Sequence, residues 1–94
     1  MSLNDRFESV TDEFLKFDRT KAPRSGRPDL HAFLMLDEMM PGKRDLISAS
    51  EHDEFYLDID CDAFAELATD DQIRDLHRCG IRYDEELDSL CMFT

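Results

Sequence analysis

Leu3, Phe7, Val10, Phe14 and Phe17 are spaced four, three, four and three residues apart. That rhythm places them on one face of an amphipathic helix over residues 4–18, with acids and amides on the other face. The next ten residues, Arg19 to Pro28, hold two prolines, a glycine and four bases without an intervening acid. They oppose both helix and strand, and predict a basic linker over 19–28. Pro28 suits the first turn of a second helix. Leu30, Phe33, Leu34, Met39 and Met40 recur mostly on one side of it, and Pro41-Gly42 ends it.

Beyond Pro41 the period falls from 3.6 to 2. Leu46–Ser50 predicts one strand and Glu54–Asp60 a stronger one, with Phe55, Leu57 and Ile59 facing one way and Tyr56, Asp58 and Asp60 the other. Glu51-His52-Asp53 then forms the hairpin connection. Asp62 is placed to cap a short helix that turns Phe64, Leu67 and Ala68 inward. Thr69-Asp-Asp-Gln72 matches a capping box for another helix, and Gly80 suits the left-handed residue after its end. Ile81–Tyr83 and Leu90–Phe93 predict a second hairpin across the acidic turn Asp84–Asp88. The order ααββααββ predicts an α+β fold, a mostly antiparallel sheet of two hairpins with helices packed on one face. The division expected is an N-terminal helix (1–18), a linker (19–28) and a compact acidic domain (29–94).

Charge sharpens this division. Residues 1–44 carry eight acids and eight bases, whereas residues 45–94 carry fifteen acids against Arg74, Arg78 and Arg82. The second half therefore holds the whole net charge of −12. Direct contact with nucleic-acid phosphates or an anionic membrane would need the opposite sign. The longest purely apolar run, Ala32–Leu36, is too short to span a bilayer, and Asp5 and Glu8 interrupt the segment a signal peptide would occupy. Cys61, Cys79 and Cys91 are odd in number and widely spaced, which suits reduced thiols and a cytoplasmic setting.

No catalytic, cofactor-binding or metal-binding residues are assigned. Asp58-x-Asp60-x-Asp62 resembles the start of a calcium loop, but Ala63 and Thr69 stand where glycine and glutamate are required. His77-x-Cys79 offers two zinc ligands without a nearby second pair. His52, flanked by Glu51, Asp53 and Glu54, is the densest chemical spot, yet no nucleophile is tied to it by a known spacing. With Gly26, Gly42 and Gly80 as its only glycines, the chain lacks a phosphate-cradling loop.

Several stretches from Leu30 onward resemble small uncharacterised proteins of bacteriophages and prophages. They are Ala32-Phe-Leu with Asp37, Pro41-Gly42, Glu51-His-Asp-Glu54 and Thr69-Asp-Asp-Gln-Ile73, followed by Arg78-Cys-Gly-Ile-Arg-Tyr-Asp84, Asp88-Ser-Leu90 and Met92-Phe93. Residues 1–28 lie outside the resemblance. It implies a phage-in-bacterium setting and an accessory role played through protein contacts, and brings no activity.

The leading expectation is a non-enzymatic interaction module, without cofactors, that turns an acidic surface towards a basic protein partner. That surface comprises Glu51, Asp53, Glu54, Asp58, Asp60, Asp84, Glu85, Glu86 and Asp88. A nucleic-acid mimic or nuclease inhibitor is a narrower version of the same idea. The alternative is a homodimer assembled through Phe7, Val10, Phe14 and Phe17 of the N-terminal helix.

Overall fold

The structure is a computed structural model that describes residues 1–93. Its elements run in the expected order: α1 (Leu3–Glu8), α2 (Pro28–Met39), β1 (Ile47–Glu51), β2 (Glu54–Leu57), α3 (Cys61–Leu67), α4 (Asp70–Arg78), β3 (Arg82–Asp84) and β4 (Ser89–Phe93). The fold is α+β, and its four strands form one antiparallel sheet in the order β1-β2-β4-β3. The last strand in sequence thus lies inside the sheet, between β2 and β3.

Local chemistry explains the best-defined elements. Thr69 and Gln72 form the capping box of α4, the hydroxyl accepting from Gln72 N–H and the amide oxygen from Thr69 N–H. At its other end Gly80 N–H donates to His77 O and Ile81 N–H to Leu76 O, completing a Schellman closure. Gly80 has φ of 101°, and a Cβ there would sit 3.0 Å from Leu15 Cδ2. Conformation and space therefore both require glycine. The β1–β2 connection is two residues long, and His52 takes the left-handed conformation (φ 54°) that turns the chain without a glycine.

Three expectations need correction. The helix over 4–18 stops at Glu8 and continues as two short 3₁₀ turns, Thr11–Glu13 and Phe17–Arg19. Leu15 between them is left-handed (φ 62°), with its N–H donating to His77 O, so a tertiary bond replaces a helical one. Secondly, α3 is capped by Asp60, whose Oδ1 accepts from Asp62 and Ala63 N–H; Asp62 is not the cap, and Leu67 is exposed. Thirdly, α2 buries His31, Ala32, Met35 and Leu36, whereas Leu30 and Leu34 of the expected inner face are exposed.

One core joins all helices to one face of the sheet. It unites Leu3, Phe7 and Val10 with Ala32, Leu36, Phe64, Ile73, Leu76, Ile81, Leu90 and Met92. Each of these side chains larger than alanine contributes about 1.5–3 kcal/mol on burial. Arg6 donates to Ala65 O at 2.8 Å and Ala68 O at 2.7 Å, which fastens α1 to the end of α3. The N-terminal segment is therefore part of the compact domain and not a separate helix on a linker. Of the expected 19–28 linker, Arg19 belongs to a 3₁₀ turn and Pro28 to α2, and residues 20–27 between them carry neither helix nor strand.

Candidate functional site

Strand pairing decides which acids meet. Leu57, Leu90 and Met92 point into the core, so their neighbours Tyr56, Cys91 and Phe93 point to the opposite face, which carries no helix among the described residues. The rows Glu51–Glu54–Phe93 and Ala49–Tyr56–Cys91–Arg82 lie across it, with Asp84 opposite Ser89. Arg82 arches over the Phe93 ring at 4.1 Å and forms an ion pair with Glu54. The Tyr56 hydroxyl donates to Glu54 Oε2 at 3.3 Å. Together they seal Cys91, which is fully buried although it faces away from the core. Burial, followed by the Glu51 and Asp84 carboxylates, raises the pKa of the Tyr56 phenol. The helix-free face is thus acidic, with Tyr56 between two carboxylates and half-exposed Phe93 beside them.

Four more of the expected acids gather at one end of the sheet. Asp88 O accepts from the Cys61 thiol at 3.4 Å, which brings the β3–β4 turn against the start of α3. Asp60, Glu85, Glu86 and Asp88 are exposed there, as is Asp62, which the sequence reading did not include. Asp84 Oδ1 accepts from Leu87 N–H and shapes the turn. The Tyr83 hydroxyl donates to Asp88 Oδ1 at 2.6 Å; this bond, with burial, raises the phenol's pKa. The remaining two expected acids lie elsewhere. Asp53 is exposed at the β1–β2 tip, the other end of the sheet, and Asp58 is held at 3.0 Å by Arg44.

The N-terminal apolar residues are not a free surface. Phe7 and Val10 are buried in the core, Phe14 leans on His77 and Phe17 on His31. Self-association through this set would have to open the domain. His77 Nδ1 lies 2.8 Å from Ile81 O, while Arg78 joins Glu13 at 2.7 Å and Asp75 at 3.2 Å. His31 is also buried. Its Nδ1 accepts from Arg24 N–H, which leaves the proton on Nε2, 3.9 Å from Asp75 Oδ2. The exposed His52 stays at the hairpin tip.

Sequence reasoning missed Tyr56, Arg82 and Phe93 as members of a surface. Their alternation along each strand was visible, but the pairing of β2 with β4 that joins them was not. Among the described residues no cluster of three or more His, Cys, Asp or Glu is arranged to hold a metal ion, and no helix is long and apolar enough to cross a membrane. Comparison with family models, curated proteins and solved structures gives no match to this chain.

Proposed function

We propose that the protein is a non-enzymatic interaction module whose helix-free sheet face receives a basic protein segment. The observation that carries this reading is the cross-strand row of Glu51, Glu54 and Phe93 beside Tyr56, with Asp84 on the far side of that phenol. Carboxylates steer an incoming cation, and aromatic faces then hold a guanidinium or ammonium group. Arg82 already occupies such a position over Phe93, so an incoming arginine would take up or extend its place. The acids of the β3–β4 turn widen the attractive field. The resemblance to phage and prophage proteins supports a bacterial host protein as the partner and a cytoplasmic setting.

Titration of the ¹⁵N-labelled protein with an arginine-rich peptide tests this reading. Shifts are expected to concentrate at Glu51, Tyr56, Arg82, Asp84 and Phe93 and to fade as salt is added. Glu51→Gln with Asp84→Asn should weaken binding about tenfold, the loss of two charge-assisted contacts. Equal shifts at the exposed acids of α3 and α4 would make the acidity a general solubility device and overturn the proposal.

A further inference from the structure

The β1 end of the molecule leaves two layers unpartnered at once. In the sheet layer, β1 is an edge strand, bonded to β2 on one side only, and all five of its residues are exposed. Its first four residues, Ile47-Ser-Ala-Ser50, carry no charge and no proline. Such an edge lacks the usual devices that discourage pairing with another strand, apart from a register shift between Ile47 and Ala49. In the helix layer, α2 covers this side of the sheet, with Phe33 packed edge-on against Phe55 of β2. Its outer face presents Leu30 and Leu34, one turn apart and 42% and 40% exposed, while Ile47 on the strand is 46% exposed. Between the two layers lies a mainly apolar cleft of about 260 Å³, lined by Phe33, Leu34, Met40 and Leu46. An α-helix apolar on both faces belongs in contact on both.

The charges flanking the cleft indicate what fits it. Asp37 stands on the helix rim and Lys43 beside the opposite rim; both are exposed, and neither has an ion-pair partner among the described residues. An occupant must offer a strand edge, an apolar helix face and the same two charges in reverse order. A second copy of this chain, turned by a two-fold axis, offers all three. We infer that the protein forms a homodimer through this end, β1 pairing antiparallel with β1 of the second copy and α2 packing on its α2. The sheet becomes eight strands wide, Leu34 lies near the axis, and Asp37 of each copy faces Lys43 of the other. Centring the strand pair on Ala49 sets Ile47 opposite Glu51, so no like charges oppose each other within the ladder. The helix-free acidic faces of the two copies then continue into one another.

Sedimentation equilibrium of the full chain over the micromolar range is the test. A dimer is expected, and Leu34→Glu should weaken it by about tenfold or more, since an unpaired carboxylate would be buried near the axis. Leu34 is exposed in the single chain, so the variant should keep the parent's circular dichroism spectrum. Ser50→Lys, which arms the strand edge with a charge, should weaken the dimer independently. A monomer at every concentration overturns the inference, as does a dimer that both variants leave intact. Neither result depends on whether a basic peptide binds the acidic face.

Discussion

The three cysteines show how placement governs the behaviour of single residues. All are buried and free of disulfides, but in different surroundings: Cys79 in the core behind α4, Cys61 against the β3–β4 turn, and Cys91 beside Tyr56 and Arg82. Burial, with nearby carboxylates, pushes the Cys61 thiol from its usual value near 9 up to about 11. Burial and Asp75 push Cys79 to about 12, and burial raises Cys91 as well. A thiolate is the reactive form, so the native protein should release almost no thionitrobenzoate from an aromatic disulfide reagent at pH 8. The denatured chain should release three equivalents, one for each cysteine. The same shifts give a pH dependence. An unfolded thiol loses its proton near pH 9, while the folded one keeps it to about 11 or 12. Alkali therefore favours the unfolded chain. Urea melts should give constant stability from neutrality to about pH 9, and a decline from there towards pH 12.

Among the elements, α1 and the 3₁₀ turns after it hold the most consequential position. They cover Ile73, Leu76 and Ile81 with Leu3, Phe7 and Val10, and they supply partners for Ala65 O, Ala68 O and Arg78. Three buried side chains at about 1.5–3 kcal/mol each approach the whole stability of a small domain, about 5–15 kcal/mol. Removing residues 1–18 should therefore abolish the cooperative thermal transition and collapse amide dispersion in an ¹⁵N spectrum. A well-dispersed spectrum from the shortened chain would show that the remaining residues fold alone. The sequence conveyed these elements unevenly. Thr69, Gln72 and Gly80 act within a few residues of one another, so α4 was legible with both of its ends. Phe55 and Leu57 alternate with polar neighbours, and β2 was legible for the same reason. The break in the N-terminal helix was not, because Leu15 answers to His77, far along the chain. Nor was the buried side of α2: apolar residues surround that helix, and periodicity cannot choose between two apolar faces. The acidic sheet face depends on Glu54 meeting Arg82 across two strands, a pairing that no local signal encodes.

For the molecule as a whole, the −12 charge has two consequences of opposite sign. Arg82, Arg44 and Arg78 neutralise Glu54, Asp58 and Glu13, yet most acids of α3, α4 and the β3–β4 turn stay exposed and repel one another. Screening over a Debye length of about 10 Å at 0.1 M salt relieves that repulsion. Added sodium chloride should thus raise the midpoint in scanning calorimetry, by about 4–8 °C for each kcal/mol of repulsion removed. The same salt should weaken capture of an arginine-rich peptide. A midpoint that falls with salt would mean that the ion pairs outweigh the repulsion.

The interior position of β4 has a consequence for the birth of the molecule. A ribosome delivers β1, β2 and β3 before β4, yet β3 has no sheet neighbour until β4 arrives between it and β2. Until residue 93 clears the exit tunnel, β2 shows a raw edge on the side that β4 will occupy, and Leu57, Ile73 and Ile81 wait without the cover of Leu90 and Met92. An unpaired edge and uncovered apolar side chains favour aggregation in that interval. Closure should come as one event when β4 arrives, since that strand is the keystone of the sheet.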